Sequence, residues 1–335
     1  MKFASIRILP AFFLILLFNV SLRADEGGGE EVRLLMVGNS FSLDASRYLP
    51  GLAQAARKKL ILENAVLAGG SLQQHVKGIK AYEADPEGNK GRIYTERFLK
   101  LAQGEGPKSL RDLLVLKPWN YVSIQQVSAL SFKEESYEPF AHFLVEYIRK
   151  FIPEAKLLVH QTWAYREDSD LLRKASLTPE TMYLGLSAAY TKLAQAYAAE
   201  IVPVGLAFQT ARQTERWKFH YPDPDFDYAA PSRGRIPKQK GSLNVGWEWK
   251  KREGEPEPVF TLDAKHANRD GQYLGACVFF EVLFGESVVG NTFVPEKIAP
   301  GDARMLQEIA HAVVAQFRAK PKVLLTGSVA LPKGE

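Results

Sequence analysis

Cysteine is almost absent from this chain, whose 335 residues contain only Cys277. A single cysteine excludes an internal disulfide, and with it a small disulfide-stapled module. Cys277 lies in the apolar stretch LGACVFFEVLFG, which indicates core packing rather than a catalytic thiol. Compositional extremes are missing too, since apolar residues make up 46% and charged residues 24%. These values exclude a disordered chain, a collagen-like repeat and a coiled coil, and they allow a large buried core.

An excess of charge of one sign is also lacking. Lys and Arg number 43 against 38 Asp and Glu, which gives a formal net charge of +5. Lys2, Arg7 and Arg23 lie within the first 24 residues, so the remainder carries only +2 of that charge. The charge balance therefore does not indicate a nucleic-acid partner.

Motifs for a cofactor or a metal ion are missing as well. The sequence has no zinc, dinucleotide or phosphate-binding pattern. The acidic stretch YPDPDFDY resembles the start of a calcium loop, but an EF-hand count from Asp223 puts Tyr228 where glycine is required. We therefore expect neither a cofactor nor a metal ion.

The N-terminus carries a hydrophobic run that is too short to span a bilayer. Basic residues precede an apolar stretch over residues 8–20, and small Ala24 stands before the acidic, glycine-rich DEGGGEE. This order predicts a secretory signal peptide over residues 1–24, a linker over residues 25–31, and export to the periplasm or the medium without stable membrane insertion. The alternative is a retained membrane anchor, which needs about 20 apolar residues.

Short apolar segments alternate with helical patterns along the rest of the chain, which favours a parallel sheet covered on both faces. The predicted strands are residues 32–38, 61–69, 119–126, 156–164 and 200–205. The predicted helices are residues 44–59 (with Asp44 as the cap), a helix from Ser71, and residues 137–151, 179–199 and 271–285. The predicted organisation is one domain over residues 32–317, polar insertions near 83–110 and 213–260, and a C-terminal tail over residues 318–335.

Candidate functional residues follow three of the predicted strands, where parallel sheets bind their ligands. Ser40 and Ser42 follow the first strand directly before a helix, Gly69 and Gly70 follow the second, and Gln125 ends the third. A serine at such a turn can be a nucleophile, but capping the helix is its more usual role. Glycines can bring a backbone N–H close to a ligand, and an amide side chain can donate to an oxyanion.

A fourth candidate block is Asp263-Ala264-Lys265-His266, which we predict to lie in a loop before a helix. An aspartate three residues before a histidine can orient the imidazole, which can then deprotonate a serine. The alternative is a polar loop in which Asn268 or Asp270 caps the helix.

Taken in this order, GNSFS, AGGS, the amide after the third strand and DAKH resemble the four blocks of the SGNH (GDSL-type) hydrolase superfamily. The chain is most similar to a bacterial group of SGNH-like domains without assigned activity, through VGNSFS, WNYVSIQQ, HQTWAY and DAKHANRDGQYLGACVFFEVLFG. The resemblance implies an α/β fold with a three-layer, flavodoxin-like, doubly wound parallel sheet and loop insertions.

The resemblance also implies roles for individual residues. Ser40 is the expected nucleophile, His266 its base, and Asp263 the residue that orients His266. The expected oxyanion hole consists of the N–H groups of Ser40 and Gly70 (or its neighbour Gly69) and the side chain of Gln125.

The sequence departs from the superfamily at two of these positions. Asn39 stands where the superfamily usually has aspartate, and Gln125 stands where it has the asparagine of the oxyanion hole. Glutamine carries the same amide one methylene further out, so its geometry is open. Loss of one oxyanion donor costs about 3–4 kcal/mol in other hydrolases, which predicts a slow enzyme if Gln125 is misplaced.

The insertion near 213–260 is rich in aromatic residues, which argues against disorder. The residues we expect to stack on a sugar substrate are Trp217, Tyr221, Trp247 and Trp249. The alternative is that these aromatic rings form a small satellite core.

The function expected from the sequence is an exported serine esterase acting on an O-acetylated carbohydrate. The alternatives are a lipid or small-ester hydrolase and a catalytically inactive carbohydrate-binding module.

Overall fold

The computed structural model describes residues 31–104 and 106–319. The predicted signal peptide, nearly all of the predicted linker and most of the predicted tail lie outside these residues. In the two described ranges, no helix is both long and apolar enough to cross a membrane.

Five parallel strands form the central sheet, in the order β2-β1-β3-β4-β5. This flavodoxin-like order confirms the predicted fold class. Four strands lie within the predicted apolar segments and β2 begins one residue before its segment, an agreement that the burial of both sheet faces explains. The strands are β1 (Val32–Gly38), β2 (Leu60–Val66), β3 (Tyr121–Ile124), β4 (Lys156–His160) and β5 (Glu200–Val202).

Helices cover the two faces of the sheet. Among them, α3, α4 and α5 pack against one another, α1, α2, α8, α9 and α10 form a second packed group, and α7 packs against β4, β5 and α8. Short α6 follows β4, and a 3₁₀ turn at Glu134–Ser136 precedes α5. The helices are α1 (Ser40–Ser46), α2 (Leu49–Ala55), α3 (Leu72–Ala84), α4 (Leu110–Leu114), α5 (Phe140–Phe151), α6 (Asp170–Lys174), α7 (Pro179–Tyr197), α8 (Val204–Arg212), α9 (Arg269–Phe284) and α10 (Pro300–Ala319).

The first helical segment differs from its prediction. Two short helices, α1 and α2, replace the single helix predicted over residues 44–59. Helix α1 begins at Ser40 because the side chain of Asn39 caps it by accepting the N–H of Phe41. Asp44 therefore lies inside α1, and its prediction as the cap is wrong.

The insertion near 213–260 contains a strand that the sequence reading missed. Antiparallel β6 (Asn244–Lys250) and β7 (Val259–Ala267) form a hairpin outside the central sheet. The DAKH block lies on β7, so its prediction as a loop is wrong. The alternation of Trp247, Glu248 and Trp249 is the period-2 pattern that could have identified β6.

The direction in which the chain adds strands to the sheet reverses after β2, because β2 pairs with one side of β1 and β3 pairs with the other. The carboxyl ends of two such strands form the crevice in which open α/β sheets bind their ligands. Ser40 follows β1 and Gln125 follows β3, so both lie at this crevice.

Candidate active site

Ser40 is the first residue of α1, directly after β1 and its cap Asn39. Because Asn39 caps the helix, neither Ser40 nor Ser42 is needed for that role. The hydroxyl of Ser42 is buried and donates to Oε1 of Gln125 at 3.0 Å. The half-buried Ser40 instead has its Oγ 2.8 Å from Nε2 of His266.

His266 connects Ser40 to Asp263. Its Nδ1 lies 2.8 Å from Oδ2 of Asp263, and its main-chain N–H donates to Oδ1 of the same carboxylate at 3.0 Å. Burial alone would raise the pKa of Asp263, but the hydrogen bonds from the side chain and backbone of His266 lower it to about 2. An ionised carboxylate only accepts, so Nδ1 carries a proton and Nε2 is free to accept the proton of Ser40.

A bulge in β7 makes this pairing possible. Asn244 pairs with Ala267 and Gly246 pairs with Asp263, so two steps along β6 span four along β7. Successive side chains of a regular strand alternate between faces, which would place residues three apart on opposite sides. The extra residues of the bulge turn His266 back toward the carboxylate of Asp263.

The carbonyl groups of the bulge are held by other parts of the fold. The carbonyl of Ala264 accepts the N–H of Arg166 at 2.9 Å. The carbonyl of Lys265 accepts from Nε1 of Trp163 at 2.8 Å and from Nδ2 of Asn244 at 3.1 Å. These partners hold the backbone that carries the imidazole in one conformation.

The region opposite the bulge contains residues that sequence reasoning missed. Arg166 makes a bidentate pair with Asp168, with both distances 2.7 Å, and both side chains are buried. Its Nη1 also donates to Gln239 at 2.7 Å. Gly246 has φ +81°, and a Cβ there would lie 2.0 Å from Nη1 of Arg166. Glycine is therefore needed beside this ion pair, and no sequence motif marks it.

The side chain of Gln125 is buried and hydrogen-bonded to two neighbouring residues. It is 1% exposed, its Nε2 donates to Oδ1 of Asn39 at 2.6 Å, and its Oε1 accepts from Ser42. The longer side chain reaches across to the cap residue and holds Asn39 in place. These contacts use the amide oxygen and one of the two amide hydrogens, which argues against the role expected from the superfamily.

Gly70 is also placed differently from the expectation. Its N–H donates to the carbonyl of Leu67 at 2.9 Å, and its own carbonyl accepts from Nδ2 of Asn39 at 2.9 Å. The N–H of Gly70, which we expected to bind an oxyanion, is thus already hydrogen-bonded within the turn. Gly69 is exposed with φ +64°, so it remains the candidate of the pair. The N–H of Ser40 lies at the helix start, where amides have no intrahelical acceptor.

The four aromatic residues expected to bind substrate do not act as one platform. Trp217 is 0% exposed and belongs to the core, so its prediction as a binding residue is wrong. Trp247 stacks on Phe260 with ring centroids 4.6 Å apart, and Trp249 packs against the same ring. Tyr221 is 37% exposed at the edge of this group. The predicted alternative of a small satellite core describes Trp247 and Trp249 better.

A groove of about 630 Å³ runs along the hairpin beside Asp263. Its lining mixes aromatic and polar side chains, including Trp247, Lys250, Arg252 and Thr261. Among the described residues, no group of three or more His, Cys, Asp or Glu could hold a metal ion.

The structure is similar to solved structures of known families. A DUF4886 family protein from Bacteroides uniformis ATCC 8492 is 26% identical with a TM-score of 0.64, over 89% of this chain and 99% of that one. A protein from Slackia heliotrinireducens, provisionally described as an SGNH hydrolase, is 16% identical with a TM-score of 0.45, over 75% and 98%. An acetylxylan esterase from Geobacillus stearothermophilus is 12% identical with a TM-score of 0.40, over 78% and 97%. No curated protein matches the chain.

The family comparison agrees with the resemblance seen in the motifs. A family model described as a domain of unknown function, DUF4886, matches residues 33–220. The match includes Ser40 and Gln125 and ends before the hairpin that carries His266. The bacterial group without assigned activity is thereby identified, and the chain belongs to the DUF4886 family.

Proposed function

We propose that this protein is a serine hydrolase that deacylates an ester. The observation that carries the proposal is the unbroken chain from Ser40 Oγ through His266 to Asp263, with both hydrogen bonds at 2.8 Å. Nucleophile, base and orienting carboxylate in this geometry are the constellation that activates a serine.

The proposed reaction has two stages. Oγ of Ser40 forms a bond to the ester carbonyl carbon while its proton moves to Nε2 of His266. The carbonyl oxygen becomes an oxyanion, for which the N–H groups of Ser40 and Gly69 are the candidate donors. The alcohol then leaves with the proton from His266. Water attacks the acyl-enzyme through the same base and releases the acid.

An O-acetylated carbohydrate is the substrate class we propose. The groove beside Asp263 supports it, because Lys250, Arg252 and Thr261 offer hydrogen bonds to hydroxyl groups. A lipid substrate would fit an apolar groove better. We further propose export, on the basis of the N-terminal sequence, and this places the enzyme where extracellular glycans occur.

Acetate release tests the proposal. The purified protein is incubated with acetylated xylan and with 4-nitrophenyl acetate, and so are Ser40→Ala, His266→Ala and the control Ser46→Ala. Ser46 is a buried serine at the other end of α1. We expect both site variants to lose activity by about 10⁴-fold or more while the control keeps it. Normal hydrolysis by Ser40→Ala would overturn the proposal, and so would glycan binding without turnover by the wild type.

A further inference from the structure

A second carboxylate, Asp44, lies on the other side of the strand segment that carries His266. Asp44 is on α1, four residues after Ser40. Its Oδ2 accepts the main-chain N–H of Ala267 at 3.0 Å, and its Oδ1 accepts from Nε2 of Gln272 at 3.2 Å. The helix that begins at the nucleophile is thus bonded to the residue directly after the base.

Gln272 closes the arrangement. Its Nε2 also donates to the carbonyl of Ala267 at 3.1 Å. Both main-chain polar groups of Ala267 are therefore held, the N–H by Asp44 and the carbonyl by Gln272. Asp263 fixes the other end of the bulge, so His266 lies between two anchored points.

We propose that Asp44 is a positioning residue that fixes His266 against Ser40 and whose negative charge favours proton transfer to His266. This inference deepens the proposed function and rests on it. During the reaction His266 takes the proton of Ser40 and becomes a cation. A nearby carboxylate that is already ionised stabilises that cation without any rearrangement.

The electrostatic surroundings of Asp44 support a role for its charge. The titratable groups that act on it are His266 and Asp263, both on β7, while α9 contributes the neutral amide of Gln272. Burial raises the pKa of Asp44 to about 6, against the opposing effects of His266 and of the hydrogen bonds from Ala267 and Gln272. The carboxylate therefore ionises near pH 6 rather than near 3.8.

This shift has a consequence for stability. Because the folded-state pKa is raised, the contribution of Asp44 to stability is complete below pH 3.8 and is lost as the pH rises through about 6. The ionised form thus lowers the free energy of unfolding at neutral pH. If Asp44 only stabilised the fold, ionisation of its carboxylate would bring no benefit.

The test measures the rate at which a fluorophosphonate labels Ser40 in the wild type and in Asp44→Asn, between pH 4.5 and 8.5. Asparagine can still accept from Ala267 but carries no charge. We expect the ratio of the wild-type rate to the variant rate to rise with a midpoint near pH 6, to about tenfold above pH 7. We also expect the melting temperature of the variant at pH 8 to equal or exceed that of the wild type.

Asp270→Asn is the matched control. Asp270 lies in the first turn of α9, burial raises its pKa too, and the charged groups around it are Arg216, Asp302 and Arg269. We expect this variant to label at the wild-type rate at every pH. A ratio for Asp44→Asn that is constant with pH would overturn the inference, as would a fall in rate that only parallels a fall in melting temperature.

A second measurement tests the positioning role even if Asp44→Asn does not fold or the wild type does not react with the fluorophosphonate. Asp44→Ala, which removes the acceptor, should speed hydrogen exchange at the amide of Ala267 at least tenfold more than Gln272→Ala does. Equal effects of the two variants would overturn the positioning role. If the wild type does not react but the exchange pattern is the expected one, the proposed function is overturned and the positioning of the backbone by Asp44 is not.

Discussion

Asp263 accepts both the imidazole Nδ1–H and the main-chain N–H of His266, three residues later on the same strand. One carboxylate therefore fixes the side chain and the backbone of the residue we propose as the base. The bulge that allows this is held from outside the hairpin, by Arg166 and Trp163. The geometry of the site thus depends on contacts made by residues outside the chain from Ser40 through His266 to Asp263.

Gly246→Ala should damage the site through the Arg166–Asp168 ion pair. The new Cβ would meet Nη1 of Arg166 at 2.0 Å and Oε1 of Gln239 at 2.1 Å. We expect a loss of about 3 kcal/mol or more in the free energy of unfolding in urea, since disturbing a buried pair is expensive. Labelling of Ser40 should slow as well.

Gly254→Ala is the control for that substitution. Gly254 has φ +84°, close to the +81° of Gly246, but a Cβ there meets no atom within 4 Å. It should therefore show only the conformational strain, about 1–2 kcal/mol, with normal labelling. Equal effects of the two substitutions would mean that the ion pair does not restrain the bulge.

Gln125→Ala separates two roles for that amide. If Gln125 only holds Asn39 and Ser42, its removal leaves buried polar groups without partners and lowers the free energy of unfolding by about 1–3 kcal/mol. The labelling rate of the folded protein should then change by less than about tenfold. A drop of about 10²–10³ in rate with unchanged stability would instead identify an oxyanion donor.

Two buried histidines predict loss of stability in mild acid. Burial lowers the pKa of His75 to about 4 and that of His160 to about 3. Neutral forms are favoured in the folded state, so this stability is complete above pH 6.5 and is lost as the pH falls toward 3. Each histidine should lower the free energy of unfolding by roughly 1 kcal/mol per pH unit between pH 6.5 and its own folded-state pKa.

His160→Leu tests that slope by urea unfolding at pH 7 and pH 5. Neither ring nitrogen of His160 has a hydrogen-bond partner among the described residues, so an apolar replacement should be tolerated at pH 7. The fall in stability between the two pH values should shrink, whereas exposed His142→Gln should leave it unchanged. An undiminished fall in His160→Leu would contradict the assignment.

Much of the sheet could be predicted because its physical cause is local. Strands buried on both faces appear as short apolar runs, and β1 was predicted with its observed bounds. The break between α1 and α2 was missed, since it depends on Asn39 as a cap and on the restart at Leu49. Strand β6 was missed because its alternation is embedded in a charged, proline-rich stretch.

The site was less accessible to sequence reasoning. Ser40, His266 and Asp263 could be named from their motifs, but the bulge that brings them together leaves no pattern of its own. Trp217 and Trp247 look alike in the sequence, yet only long-range packing decides that Trp217 is fully buried. The contacts of Gln125 could not be predicted either, because they depend on the distance between β1 and β3.

The most direct test of the central claim is the intact mass of the protein after incubation with a fluorophosphonate. The wild type and Ser40→Ala are treated side by side. An activated Ser40 predicts a single adduct on the wild type and none on Ser40→Ala. An adduct that persists on Ser40→Ala, or a wild type that stays unlabelled, would contradict a serine hydrolase built on Ser40, His266 and Asp263.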